Sequence, residues 1–441
     1  MSGTDEVAEG RVPVRRVLGL AVPALGVLAA EPLYVLVDTA VVGHLGALPL
    51  AGLALGGVVL SAISSDLTFL SYGTTARSAR LHGAGDRRGA VAEGVQATWI
   101  GLLVGFALLL VGQLLLHPVV SGLAGNAAVA REAELWLRIA LCGAPLILVT
   151  MAGNGWMRGV QNTVRPLRYV LAGNGISVIL CPVLVYGAHW GLLGSAVANV
   201  VAQAIAAALF LRALIAERVS LRFDGAAIRA QLRMGRDLVL RTFGFQVCFF
   251  SAAAIAGRIS AATLGAHQIV LQLWTFDSLV LDSLAIAAQS LIGAALGAGS
   301  ERGARLLSRQ ITGYGLVFGF VLAGIFGALA WVLPLVFTSD PAVLAEIPKA
   351  WWFFVALQPI AGVVFALDGV LLGAGDAVFL RTSTLISAVA GFLPVVWVGF
   401  ALGWGLVGIW AALATLMVFR LVAVLWREHS GRWAVPGAVR A

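Results

Sequence analysis

Charge is what this sequence has least of. Only 11% of its 441 residues are Asp, Glu, Lys or Arg, where soluble domains carry about a quarter. With 60% hydrophobic residues and a mean hydropathy of +0.96, the chain has too little polar surface to face water. Lipid is therefore its solvent. Cysteine is scarce as well. Cys142, Cys181 and Cys248 lie far apart inside apolar runs, which excludes a disulfide framework and any metal-ligand spacing. The turns Gly83-Ala84-Gly85-Asp86 and Gly373-Ala374-Gly375-Asp376 lack the Gly/Lys/Ser spacing of a phosphate cradle, so ATP is not expected as the energy source. No small-residue cleavage site follows the long apolar run after Arg15 and Arg16, so no cleavable signal is expected. The net charge of +8 comes from arginines in short clusters between apolar runs. Arginines so placed do not make the single basic face that binds nucleic acid.

What is present is a series of apolar runs long enough to cross ~30 Å of hydrocarbon. They predict an all-α polytopic membrane protein of about 12 transmembrane helices, at 17–43, 50–76, 90–116, 134–157, 166–187, 192–214, 237–259, 263–296, 310–337, 349–373, 380–401 and 405–426. Pro182, Pro359 and Pro394 lie inside these spans as candidate kinks. Arginine alternates between connections. Arg11, Arg15 and Arg16 precede a loop without arginine around His44; Arg77, Arg80, Arg87 and Arg88 precede a poorer loop with Arg131; Arg158, Arg165 and Arg168 precede a bare turn at His189. This pattern predicts that both termini and the 212–236 connection are cytoplasmic.

The chain also repeats itself. A shift of 214 residues lays Gly83-Ala84-Gly85 on Gly297-Ala298-Gly299, Gly159 on Gly373, and Trp190-Gly191-Leu192 on Trp404-Gly405-Leu406. Each unit then holds six helices, an even number, which makes the halves parallel repeats about a central cavity. The expected organisation is a cytoplasmic tail 1–16, a bundle 17–214, a linker 215–236, a second bundle 237–427 and a tail 428–441. Two similar bundles that rock about a midplane site are the usual build of a secondary transporter, so alternating access is the expected function.

Ionisable groups at mid-membrane are costly, and they mark function unless a structural partner offsets them. Glu31, Asp38, Asp66, Asp277, Asp282 and Asp368 fall inside spans that offer almost no deep bases to pair them, Arg241 and Arg258 lying near helix ends. Such carboxylates carry a proton or await a cation. Glu31, Tyr34 and Asp38 share a helix face by spacing. In the eighth helix Gln268, Thr275, Asp282 and Gln289 recur every seven residues, with Gln272 beside them, and the repeat overlays Asp282 on Thr68. The fifth helix offers Asn174, Ser177 and Cys181, and the sixth offers Ser195, Asn199 and Gln203. These stripes fit either a water-accessible lining or hydrogen-bonded contacts between helices. Asp66, Asp277 and Asp368 lie off the stripes or near an end, and a structural role is open for them. His267 reads as a packed or hydrogen-bonded residue, and Trp136, Trp351, Trp352 and Trp426 as interfacial belts. Trp274, at mid-span, is a possible ring face for a cationic ligand. The acids are scattered singly, which argues against a membrane-embedded transferase holding Mg²⁺. The spans lack the arginine lining that a lipid-precursor flippase would use.

The run Glu31-Pro32-Leu33-Tyr34-Val35-Leu36-Val37-Asp38-Thr39-Ala40-Val41-Val42-Gly43-His44-Leu45-Gly46 resembles the multidrug and toxic compound extrusion (MATE) family, DinF-like branch. Arg158-Gly159 before Pro166, Leu281-Asp282-Ser283-Leu284-Ala285 and Leu367-Asp368-Gly369 support the resemblance, which spans essentially the whole chain. It implies an antiporter, not an enzyme: a monomer in the inner membrane that exports cationic amphipathic compounds against protons or sodium ions and needs no other cofactor. It also implies that Asp38 is the coupling carboxylate. Many relatives carry Asn and then Asp in the fifth helix, where this chain has Ser177 and Cys181 within Leu180-Cys181-Pro182. The lost carboxylate favours proton over sodium coupling, with Glu31 and Tyr34 supporting Asp38. Asp282 with Gln268, Gln272, Thr275, Thr68, Asn174, Ser177, Asp277 and Asp368 forms the expected cavity and substrate set.

Overall fold

The computed structural model describes residues 12–438, except the side chain of Asp66. The readings that rest on Arg11, on Asp66 and on the ends of both tails lie outside the described residues. Within them, 12 helices are long and apolar enough to cross a membrane. They are α1 (Val14–Gly43), α2 (Ala47–Gly83), α3 (Arg87–Leu123), α4 (Ala127–Gly159), α5 (Val164–Gly187), α6 (Leu192–Ala216), α7 (Gly225–Ile259), α8 (Ala261–Gly297), α9 (Glu301–Ala328), α10 (Pro341–Gly373), α11 (Ala377–Ala401) and α12 (Gly405–Ser430). In hydrocarbon every backbone polar group needs an internal partner, which leaves these apolar runs little choice but helix. Helix starts are fixed by side-chain caps that accept the orphan N–H groups of the first turn. Asp86 caps α3 through Gly89 N–H at 2.7 Å, and Ser300 caps α9 through Gly303 N–H at 3.1 Å. Asn126 and Asp340 cap α4 and α10 in the same way.

Most helices run past the apolar cores that the sequence marks, because polar first and last turns continue the hydrogen-bond ladder into water. Two boundaries differ more substantially. The expected span 310–337 ends at Ala328; a turn follows, and Leu333–Phe337 forms a separate short helix that opens with Pro334. Proline is accepted in the first turn of a helix and resisted in its interior, so the break precedes it. The expected linker 215–236 is largely helical, since α7 begins at Gly225. Its irregular part is strapped to α3: Gln96 bonds the Arg222 carbonyl and the Asp224 N–H, and Trp99 Nε1 donates to the Leu221 carbonyl at 3.0 Å. The prolines also act as expected in part. Pro182 precedes a π-turn over Val183–Gly187, and Pro394 follows one over Ser387–Phe392.

The chain divides into two compact units. Unit 2 is Val22–Gly235, and unit 1 joins Met1–Ala21 to Arg236–Ala441. Within each, the repeat has a physical basis in glycine. In unit 2, Gly155 of α4 lies so close to α2 that a Cβ would sit 2.8 Å from the Ser71 carbonyl and 2.7 Å from Thr74 Cβ. In unit 1, Gly369 of α10 meets the Ala285 backbone of α8 in the same way, and a Cβ would sit 2.7 Å from Ala285 Cα. Each pair is related by the 214-residue shift read from the sequence. Gly101 and Gly105 of α3 press on Leu148 and Pro145 of α4, while Gly315 and Gly319 of α9 press on Gly362 and Gln358 of α10. With no hydrophobic drive between helices in lipid, such close backbone approach is what gives packing its strength.

Larger side chains at these contacts have no room. Gly155→Leu and Gly369→Leu are each expected to cost at least about 1–3 kcal/mol, the usual range for overpacking. Thermal unfolding of detergent-purified protein, followed by size exclusion, checks this. Gly57→Leu and Gly324→Leu, where nothing lies within 4 Å of the added carbon, should leave the transition in place.

Candidate functional site

In unit 2 the first helix passes through an unpaired acid. Asp38 of α1 is 4% exposed. Its Oδ2 accepts a hydrogen bond from Ser195 Oγ of α6 at 2.9 Å, and its Oδ1 accepts one from Cys181 Sγ of α5 at 3.2 Å. Trp136 Nε1 of α4 donates in turn to Ser195 Oγ at 3.2 Å, so three helices converge on the carboxyl of a fourth. One turn earlier on α1, the buried Tyr34 hydroxyl sits among Asp38, Ser177 and Asn199. Among the described residues neither that hydroxyl nor Ser177 Oγ completes a hydrogen bond of good geometry. Asn174 Nδ2 donates to the Ala30 carbonyl at 3.1 Å, next to the turn that Pro32 deprives of a ladder bond. The Tyr186 hydroxyl bonds the Val41 carbonyl, which fastens the end of α5 to α1. Among the described residues no arginine or lysine is paired with Asp38. Its neighbours are neutral donors, and the low-dielectric site favours a charge-neutral state, reached by a proton or a bound cation.

The structure brings Asp38, Tyr34, Ser177, Cys181, Ser195 and Asn199 together and leaves Glu31 apart. Although Glu31 is spaced to share their face, it is exposed. Trp136 and Trp351, read from sequence as interfacial, are buried at 3% and 1%. Their indole N–H groups are spent on Ser195 Oγ and the Phe326 carbonyl, which is what an internal tryptophan needs. Trp352 and Trp426 are exposed.

In unit 1 the polar stripe of α8 divides along its length. Gln268, Gln272 and Thr275 are exposed, Asp282 is half-buried, and Gln289 is fully buried. Thr68, the counterpart of Asp282, lies at the junction of the two helices that make up α2, and its hydroxyl bonds the Ser65 carbonyl at 2.8 Å. Trp274 stands edge-to-face on Phe354, which also meets Trp351, Phe326 and Trp410. His267 is wholly buried against Trp410 with both ring nitrogens unbonded, so it is a packed residue rather than a hydrogen-bonded one.

The expectation that deep bases are missing is corrected here. Asp368 of α10 is ion-paired with Arg241 of α7 at 2.6 Å and with Arg420 of α12, both guanidinium groups lying over the Phe245 ring. Asp282 also acts electrostatically on Arg420. Asp368 is therefore the centre of a buried charge cluster. Arg420 escapes a sequence reading because it stands singly in an apolar run, and only the fold brings it to its acid. Asp277 of α8 is 1% exposed and unpaired. Among the described residues no cluster of His, Cys, Asp and Glu is arranged to hold a metal.

Twelve apolar helices in two repeated units, with isolated buried acids, define a polytopic membrane protein of the transporter class. The MatE family model matches the chain twice, at residues 23–183 and 238–397, and the chain belongs to this family. It is a transporter, not an enzyme. Protein DETOXIFICATION 44, chloroplastic, of Arabidopsis thaliana is 31% identical over 95% of this chain and 83% of its own length. DNA damage-inducible protein F of Escherichia coli (strain K12) is 28% identical over 94% of this chain and 92% of its own. The probable multidrug resistance protein NorM of Thermotoga maritima is 24% identical over 97% and 94%. Among solved structures, an outward-facing multidrug resistance MATE family transporter of the MOP superfamily superposes with a TM-score of 0.86 at 19% identity, over 98% of this chain and 99% of that one. A Vibrio cholerae MATE transporter gives 0.86 at 19% identity, over 98% of each chain.

The charge cluster of unit 1 generates a test. Breaking one partner of a buried pair strands a charge and typically costs about 3–5 kcal/mol, whereas replacing both is far milder. Asp368→Leu and Arg420→Leu should each lower the unfolding transition strongly. The double variant should lose much less than the two added together, as a double-mutant cycle on purified protein would report.

Proposed function

We propose that the protein is a proton-coupled antiporter that exports cationic, amphipathic organic compounds by alternating access, with Asp38 as the proton-exchange site. One observation carries this reading. A buried carboxyl lies on a membrane-spanning helix with neutral hydrogen-bond donors around it and, among the described residues, no base to neutralise it. Sodium is the weaker partner for this pocket, because the second carboxylate found in many relatives is Cys181 here and a thiol is a soft, poor ligand for a hard cation. Tyr34, Ser177 and Asn199 place hydroxyl and amide groups beside the carboxyl, and they suit a proton that must enter and leave. Glu31 lies exposed on the same helix and is assigned a supporting part in proton entry rather than a place in the pocket.

The substrate class is read from unit 1. An exposed line of Gln268, Gln272 and Thr275 on an otherwise apolar helix is unsuited to lipid and suited to a wet cavity. Asp282 lies at its end as the acidic group for a cationic ligand, and Trp274 supplies an aromatic face. Arg241 and Arg420 are occupied by Asp368, so they do not favour an anionic headgroup. The probable multidrug resistance protein NorM and the multidrug and toxin extrusion protein 1 of Danio rerio carry names in keeping with such cargo. A proton entering down a potential of 100 mV releases about 2.3 kcal/mol. A singly charged cation leaving against the same potential returns that amount, so in a one-for-one exchange the pH difference is the drive, at about 1.4 kcal/mol or roughly a ten-fold substrate gradient per pH unit.

Purified protein in liposomes tests the coupling. A pH gradient without sodium should drive efflux, a sodium gradient without a pH difference should not, and Asp38→Asn should abolish the pH-driven flux. Sodium-only efflux, or full pH-driven flux in Asp38→Asn, would overturn the assignment. The working form is proposed to be a monomer in the inner membrane, with both termini and the connection before α7 in the cytoplasm. A cysteine introduced as Asp224→Cys should resist an impermeant thiol reagent in intact cells and react after permeabilisation.

A further inference from the structure

Unit 1 contains an acid that the mechanism above does not use. Asp277 lies near the middle of α8 and is 1% exposed, and neither carboxyl oxygen has a hydrogen-bond partner. Its one polar neighbour is Gln358 of α10. That side chain donates from Nε2 to the Phe354 carbonyl at 3.3 Å, and its Oε1 has no partner. The helices packed against α8 are α9, α10 and α12. Arg302 and Arg309 are exposed near the start of α9, and the other charged groups of these helices are engaged elsewhere. Asp368 of α10 and Arg420 of α12 pair with each other, and Arg241 of α7 joins them. On α8 itself, Asp282 acts on Arg420, while His267 packs against Trp410. On α9, Tyr314 is bonded to Gln310, and Glu301 and Arg305 pair on an exposed turn. No charged side chain from any of these elements acts on Asp277.

An ionised carboxylate buried without donors or a counter-ion is among the costliest arrangements a protein can hold. A carboxylic acid is far cheaper, and its O–H is the donor that the unpartnered Gln358 Oε1 lacks. Thr275 and Phe276, immediately before Asp277 in the sequence, are exposed, so the thickness of one helix separates this acid from the exposed polar stripe. The stripe lies about half a turn around the helix from Asp277, so a separation of α8 from α10, rather than a turn of α8, is what would bring the acid to water. We propose that Asp277 is a second proton-binding carboxyl, seated within unit 1, that releases its proton to water when substrate binds and takes one up again as the cycle closes. The inference rests on the proton-coupled reading for its place in the cycle. The existence of the protonated acid stands independently of it.

Infrared difference spectroscopy on the purified full-length protein reads this directly, without a flux measurement. A protonated carboxylic acid has a carbonyl stretch distinct from that of an ionised carboxylate. Adding a cationic dye such as ethidium should produce a negative band in the acid region that is lost in Asp277→Asn and kept in Asp38→Asn. Gln358→Leu, which removes the neighbour and keeps the acid, should shift the band in frequency. Absence of an Asp277-dependent acid band from both the dye-induced and the alkaline-pH difference spectra would mean that the group does not exchange its proton; a band that appears with alkaline pH but not with dye would mean an acid uncoupled from substrate. Either result overturns the proposal. Sodium-driven flux in the liposome assay would refute the coupling of Asp38 and leave this band unaffected.

Discussion

The close backbone approach of α4 to α2 and α3, repeated by α10 against α8 and α9, is the constraint on which the rest of each unit depends. Lipid provides no solvent-driven reason for two apolar helices to adhere, so contact area and van der Waals fit must do it. Glycine at Gly155 and Gly101, and again at Gly369 and Gly315, lets backbone meet side chain and carbonyl at separations that no other residue permits. Both halves carry this set, and the family model matches each of them. Once the central helix of a unit is seated, the surrounding helices have fixed positions, and with them the directions in which polar side chains point.

The two scaffolds then carry different chemistry. Asp38 in unit 2 corresponds through the repeat to Ala252, and Asp368 in unit 1 corresponds to Asn154. Unit 2 surrounds its acid with neutral donors and leaves its charge open. Unit 1 neutralises Asp368 with two arginines stacked on Phe245 and encloses Asp277 with no counter-charge. A shared packing core beside divergent polar positions is the expected outcome when packing is fixed by geometry and ionisable groups by function.

The legible part of the sequence was whatever is periodic or repeated. Helix number, the internal repeat, and the face shared by Tyr34 and Asp38 all follow from spacing, because an α-helix turns 100° per residue whatever its surroundings. The partners of Asp38 were legible only as stripes. Ser195 and Cys181 are 157 and 143 residues away, and nothing local announces that they meet the same carboxyl. Trp136 is misread, and Arg420 passed over, for a related reason. Composition gives a tryptophan near the start of an apolar run a default role at the membrane boundary and does not mark a lone arginine inside one, and only tertiary contact assigns either to the interior. The break after Ala328 was hidden because the hydropathy of 310–337 is continuous, and the turn before Pro334 is set by proline's missing N–H rather than by any loss of apolar character.

The central claim is that Asp38 is neutralised by a proton and gives it up when substrate binds. Counting protons in weakly buffered solution, as a saturating cationic dye is added to detergent-purified protein, tests that claim most directly. The account predicts release of protons by the unaltered chain and of one fewer per molecule by Asp38→Asn, with no dependence on sodium. Equal release by both proteins, or release that appears only when sodium is present, would contradict it.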